Sequence, residues 1–273
     1  MLRVNTLISA TFGILCLLSF RFAEPDHNSH LKSSVLSDKA GSEQVCESES
    51  FEYFYTSSPR YRQVLDTMYM RLFNASNRPD KQVFDYAMKG YANLLGQNLI
   101  VKKHLLAFID YSMSANKKRF WVVDLKNMKV LYHELVAHGR NTGEEFARKF
   151  SNKTNSFQSS LGFFITGEIY NGKHELSVKM NGVERLHNSK ALDRGIVIHG
   201  ASYVNEDYIK QNKRLGRSLG CPAVSEAVIA SLSETISNGA CLFAYYPNKS
   251  YLKTSKVLNT DVVFASAAGA YGL

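Results

Sequence analysis

Two side chains in the C-terminal third could do covalent chemistry together. His199 ends the apolar run Gly195-Ile196-Val197-Ile198, and Cys221 sits between Gly220 and Pro222. A thiol attacks a carbonyl only after losing its proton, and an imidazole is the side chain best suited to take that proton near neutral pH. Proline suits the first position of a helix, where its missing N–H is not needed and its φ is already helical. The sequence therefore predicts Cys221 at the N-cap of a helix over 222–237, where the positive end of the helix dipole favours thiolate. Gly220 permits a tight turn, so the N–H groups of Leu219, Gly220 and Cys221 could converge on a developing oxyanion. The plainer reading is a satisfied core histidine and a small buried hydrophobe, which is what such residues are in most chains. The surroundings favour chemistry: Ser218 and Arg217 precede the cysteine, and Gly200 directly follows the histidine.

The pair needs elements to hold it. Beyond Leu105 the apolar pattern shortens to a period of two or to short runs, predicting strands over 105–111, 120–125, 130–137, 161–166, 176–180, 195–199 and 241–246. Val224, Val228, Leu232 and Ile236 form one apolar helix face, which Asn238-Gly239 stops. Upstream, Val64, Leu65, Met68, Leu72 and Phe73, then Val83, Phe84, Ala87, Tyr91, Leu94 and Leu95, recur at helical spacing on either side of the break from Asn74 to Pro79. The expected architecture is a β-rich α+β fold with one helix after the cysteine and a small helical cap before the strands. Its divisions are a signal peptide or signal anchor over 1–23, a polar linker over 24–60, the cap over 61–100, a catalytic domain over 101–249 and a tail over 250–273.

Composition narrows the setting. The 273 residues carry a net charge of +9, which favours an anionic partner. The cations are scattered (Lys102-Lys103, Lys117-Lys118-Arg119, Lys213-Arg214), with no basic helix or aromatic RNA-binding motif, so nucleic acid is not expected. Arg3 precedes an uncharged stretch from Leu7 to Phe20, followed by Arg21 and polar residues, the layout of an export signal. The mature chain is expected outside the cytoplasm, in the periplasm or cell envelope and at most peripheral to a membrane or wall. Cys16 would leave with the signal, and Cys46, Cys221 and Cys241 would remain: either Cys46 pairs with Cys241, or all three stay reduced. Neither His133 nor His174 has the partner spacing of a zinc site, so no metal is expected.

The residues "IHGASYV…GRSLGCPA" resemble the signature of the YkuD-type L,D-transpeptidase catalytic domain, in which a strand ends in His-Gly and Ser-x-Gly-Cys follows. "VAHGRNTG" (Val136 to Gly143), "FSN" (Phe150 to Asn152) and "SSLGFFITGE" (Ser159 to Glu168) extend the likeness to the murein L,D-transpeptidase branch, over roughly Phe84 to Pro247. The resemblance implies a β-sandwich or barrel and a cysteine acyltransferase acting on peptidoglycan stem peptides without a cofactor. It makes Cys221 the nucleophile and His199 the base, with Gly220 and Cys221 N–H groups at the oxyanion, and Ser218 and Gly200 shaping the pocket. The acceptor would be an amine, giving wall cross-links, or water, giving a carboxypeptidase or endopeptidase; an inactive wall-binding domain is the non-enzymatic alternative. A papain-like hydrolase fits poorly, because there the nucleophile precedes the base in the chain. Many relatives carry a histidine between Ser and Gly and an arginine two after the cysteine, where this chain has Leu219 and Ala223. Arg217 is the expected substitute charge for a substrate carboxylate. The long stretch between His199 and Cys221 should be a surface loop beside the cleft, from which Tyr203 and Tyr208 either touch substrate or pack. His138-Gly139 also ends a strand, so His138 is either a second site residue or structural.

Overall fold

A computed structural model describes residues 51–172 and 175–267. The expected signal segment, residues 24–50 of the expected linker, Cys16, Cys46 and His174 lie outside these. In chain order the elements are β1 (Phe51–Tyr55), α1 (Pro59–Leu72), α2 (Lys81–Gly96), β2 (Leu105–Asp110), β3 (Phe120–Asp124), β4 (Lys129–Glu134), β5 (Gly162–Gly172), β6 (Glu175–Gly182), β7 (Val197–Gly200), α3 (Glu206–Asn212), β8 (Ala223–Val224), α4 (Glu226–Ile236), β9 (Cys241–Tyr245), α5 (Lys249–Thr254), α6 (Lys256–Asn259) and β10 (Val263–Ala267).

Eight strands form one mixed sheet in the order β4-β3-β2-β9-β5-β6-β7-β8. Neighbours are antiparallel except β2–β9 and β7–β8, which run parallel. The two edges approach each other: Ala137, just beyond β4, bridges to Ala223 of β8, and Gly139 bridges to Ser218. This seam curls the sheet into a nearly closed barrel and leaves few edge groups unpaired. All seven strands expected from the apolar pattern are present, six of them within about three residues of their expected limits, while β5 runs on to Gly172, six residues past its expected end.

The helical pair is not a satellite. Ser58 and Asp80 cap α1 and α2 through hydrogen bonds from Tyr61 N (3.1 Å) and Gln82 N (2.7 Å). The apolar faces of both helices then join a single core with β2, β3, β5 and β9. Gly90 makes this close docking possible, since a Cβ there would fall 1.9 Å from the Phe163 ring. Phe163 in turn stacks on Phe243 of β9, with centroids 4.2 Å apart.

Three features depart from the expectation. β1 and β10 pair in an antiparallel two-stranded sheet, from Phe51↔Ala267 to Tyr55↔Val263, where a linker and a tail were expected. The tail also holds α5 and α6, which bury Tyr251, Val257 and Leu258 in the main core. Six and four residues are too few to display a helical period. Third, the cysteine does not open a helix. Ala223 and Val224 are drawn into β8, where they pair with His199 and Gly200, and α4 begins only at Glu226 with Ser225 as its cap. Among the described residues no helix is long and apolar enough to cross a membrane.

Candidate active site

The parallel pairing of β7 with β8 brings the two candidate residues together. His199 pairs with Ala223, two positions after Cys221, and its N–H donates to the Pro222 carbonyl at 3.4 Å. The imidazole is 1 % exposed, with Nδ1 2.8 Å from the Gly200 carbonyl. A carbonyl only accepts, so Nδ1 carries the proton and Nε2 is left as the basic atom. Asp193, Glu206 and Asp207, the carboxylates nearest to His199 in sequence, are exposed, and Asp207 pairs with Lys210. The backbone therefore orients this histidine.

The turn before the cysteine is closed by hydroxyls. Ser218 Oγ donates to the Cys221 carbonyl (2.6 Å) and accepts from Gly220 N (3.0 Å). Ser159 Oγ, also buried, donates to the Gly220 carbonyl and accepts from Gly139 N, both at 3.0 Å. Gly220 has φ +130°, a left-handed conformation reserved in practice for glycine. Since its N–H is bound to Ser218, the expectation that it faces an oxyanion is not met. Among the described residues, the N–H of Leu219 has no protein acceptor, while that of Cys221 faces its own sulfur. Gly200 has a packing role: a Cβ there would lie 2.8 Å from Ile229 Cγ2, so its absence lets α4 rest on β7.

The thiol is partly covered and rests 3.6 Å from the Gly195 carbonyl. Burial pushes its pKa above the ordinary value, against smaller opposing effects from the Val197 N–H, the Arg194 charge and its own N–H. The helix-dipole activation expected for Cys221 is thus corrected: β8 intervenes before α4, and desolvation outweighs the groups that favour thiolate.

His138 lies beneath the site rather than in it. It is 0 % exposed, its Nδ1 accepts from Arg119 Nη2 at 2.8 Å, and its Nε2 lies 3.3 Å from the Gly143 carbonyl. Burial and the Arg119 charge depress its pKa to about 3, so it is a neutral strut. Its carbonyl accepts from Ser218 N, which ties it to the cysteine turn.

Arg217 is also spoken for. Its guanidinium pairs with Glu144 and donates to the carbonyls of Arg140 (3.1 Å) and Gly143 (3.2 Å), which leaves it a poor candidate for a substrate carboxylate. The stretch over 201–215 is a small unit with its own core of Ala201, Val204 and Leu215 against Leu135, Ala137 and Ala223, and it includes α3. Tyr203 packs there beside Gly216 and Tyr208. Its hydroxyl is pushed up to about 12 by burial and by the neighbouring Cys221. Leu219 is 53 % exposed, an apolar side chain at the rim beside the thiol.

Sequence reasoning missed Arg194. It precedes Gly195, whose carbonyl meets the thiol, and its Nη2 lies 3.5 Å from where a Gly220 Cβ would stand. Cys241, by contrast, is a fully buried thiol in β9 with no disulfide partner among the described residues; Cys46, its expected alternative partner, lies outside them. Among the described residues no three His, Cys, Asp or Glu side chains gather as metal ligands.

The defining pattern of the YkuD-type L,D-transpeptidase catalytic domain matches residues 75–245, nearly the span of the sequence resemblance. Among solved structures, an L,D-transpeptidase from Mycobacterium smegmatis is 13 % identical over 52 % of this chain and 59 % of its own, with a TM-score of 0.34. An L,D-transpeptidase from Xylanimonas cellulosilytica is 13 % identical over 69 % and 94 %, with a TM-score of 0.32. The helical cell shape determining protein Pgp2 from Campylobacter jejuni is 13 % identical over 60 % and 57 %, with a TM-score of 0.33. The chain thus spans less than two thirds of the Mycobacterium and Campylobacter proteins. No curated relative matches it. With residues 75–245 of its 273 matching the defining pattern, the chain belongs to the L,D-transpeptidase catalytic-domain family.

Proposed function

We propose that the protein is an exported L,D-transpeptidase whose nucleophile is Cys221 and whose base is His199. The observation that carries this reading is the β7–β8 pairing: it brings the strand that ends in His199, whose Nδ1 donates to the Gly200 carbonyl, alongside the segment that carries the partly covered Cys221 thiol, at a turn held by Ser218 and Ser159. Export rests on the charge and hydropathy layout of residues 1–23.

The donor is a peptidoglycan tetrapeptide stem. As Cys221 Sγ attacks the diamino acid's own carbonyl carbon, in the peptide bond to D-alanine, its proton passes to His199 Nε2. The resting thiol is neutral, so proton transfer accompanies attack rather than preceding it. The N–H groups of Leu219 and Cys221 receive the oxyanion, in place of the Gly220 N–H that Ser218 occupies. Collapse returns the histidine's proton to the departing D-alanine nitrogen and leaves a thioester. An acceptor amine then attacks the thioester carbonyl, gives its proton to His199, and expels the thiolate, which takes that proton back.

The test is mass spectrometry of purified muropeptides incubated with the protein and with Cys221→Ala. Cross-linked dimers with loss of alanine, made only by the wild type, are expected. Trimmed monomers alone would make water the acceptor, and identical products from both proteins would overturn the assignment. A carbapenem supplies a second readout, since wild type should gain the intact mass of the drug as a thioester at Cys221 and Cys221→Ala should not.

A further inference from the structure

We propose that Arg194 is the positive charge that holds the Cys221 thiolate, a positioning residue that also braces the 151–160 segment against the cysteine turn. The proposal rests on Cys221 being the nucleophile, and its test reads ionisation rather than turnover, so the two can fail separately.

The guanidinium is tied down on two sides. Nη1 donates to the Ser151 carbonyl (2.6 Å) and to Ser160 Oγ, and Nη2 to Ser156 Oγ (3.2 Å) and to the Gln158 carbonyl. All four acceptors are neutral oxygens, and no carboxylate pairs with Arg194 among the described residues. A half-buried cation fixed in place with its charge uncompensated is arranged to act on something else.

Three contacts identify that target. Gly195, the next residue, lends its carbonyl to the thiol at 3.6 Å. Nη2 and the Gln158 carbonyl lie 3.5 Å and 3.0 Å from where a Gly220 Cβ would be, directly beside Cys221. Ser159, between the braced Gln158 and Ser160, holds the Gly220 carbonyl. The electrostatics agree in both directions: Cys221 raises the Arg194 pKa against its desolvation, and Arg194 lowers that of Cys221. Of the other groups that act on the thiol or feel its charge, Tyr111 and Tyr203 are both held neutral, with pKa values pushed up to about 12, and His199 lies across the β7–β8 pairing. Arg217 is ion-paired with Glu144, a carboxylate it shares with Arg214, and does not figure among the charges that act on the thiol. Arg194 is therefore the cation that faces the thiol.

The experiment is the rate of iodoacetamide alkylation as a function of pH in the full chain. It is read at the Cys221 peptide by mass mapping, so that other cysteines do not contribute. Arg194→Gln, which keeps an amide donor for the loop carbonyls but has no charge, should move the midpoint up by about one pH unit, about a tenfold slower reaction below the midpoint. Arg194→Lys keeps the charge and should stay within about 0.3 pH unit of wild type, whereas a purely structural brace would be damaged in both. An unshifted midpoint in a folded Arg194→Gln overturns the proposal, as does a Lys variant displaced as far as the Gln variant. Should Arg194→Gln fail to fold by circular dichroism, the Lys variant decides alone: a wild-type midpoint supports the charge, and a displacement of a full unit sinks it.

Discussion

The neutral histidine under the site makes acid the condition that should open it. In the folded chain His138 has a pKa of about 3, because it is buried and accepts a hydrogen bond from Arg119. In the unfolded chain it titrates near 6.5. Above that value neither state is protonated and the group is without effect on stability. As the pH falls, the unfolded state takes a proton that the folded state refuses, so stability is lost from about pH 6.5 down to about pH 3. The slope is about 1.4 kcal/mol per pH unit, giving about 2 kcal/mol at pH 5 and about 4–5 kcal/mol near pH 3. Urea unfolding of wild type and His138→Gln at pH 7.5 and pH 5 isolates this contribution. Glutamine offers Arg119 a neutral acceptor, and the histidines depressed by burial elsewhere, His133 and His187, titrate in both proteins and cancel. The variant should be less stable at pH 7.5 yet lose about 2 kcal/mol less than wild type on going to pH 5. Equal acid losses, to within about 0.5 kcal/mol, would show that His138 takes its proton in the fold, and the strut argument would fail.

Two further substitutions address the turn and the helix behind it. Ser159→Ala strands the Gly139 N–H and the Gly220 carbonyl in a buried site, so denaturant unfolding should register a loss of about 2–4 kcal/mol and carbapenem acylation of Cys221 should slow. A loss below about 0.5 kcal/mol would mean that water or a shifted backbone replaces the hydroxyl. Ser225→Ala removes the cap of α4, at a cost of about 1 kcal/mol in thermal or urea unfolding, while the pH profile of Cys221 alkylation should not move. A displaced profile would restore the helix dipole as an influence on the thiol.

How much was legible in the sequence follows from the range over which each residue acts. The strands were, because alternating and continuous apolar runs report burial residue by residue. α1 and α2 were too, at fourteen and sixteen residues long enough to repeat their pattern. His199 and Cys221 stood out by residue type. The helix start did not, since Pro222 is compatible with both a first helical turn and an extended segment. What decides is a non-local fact, the pairing of Ala223 with His199 on one side and Ala137 on the other. β1 and β10 escaped for a similar reason: they are adjacent only in space.

The same seam accounts for where the site keeps its charge. Ala223 stands two after the cysteine, where many family members place an arginine, but here it is fully buried between Ala137 and His199 in the small core of the 201–215 stretch. A guanidinium on that side chain would have to displace Leu135, Val204 or Leu215, at the cost of burying an unpaired charge in an apolar cluster. A cation comes instead from the segment that leads into β7, where Arg194 Nη2 lies 3.5 Å from where a Gly220 Cβ would stand, beside Cys221. Searching for the charge among the neighbours of Cys221 in sequence finds Arg217, which the fold spends on Glu144. The strand pairing that brings the His199 and Cys221 segments together also sets Gly195, the residue after Arg194, against the Cys221 thiol.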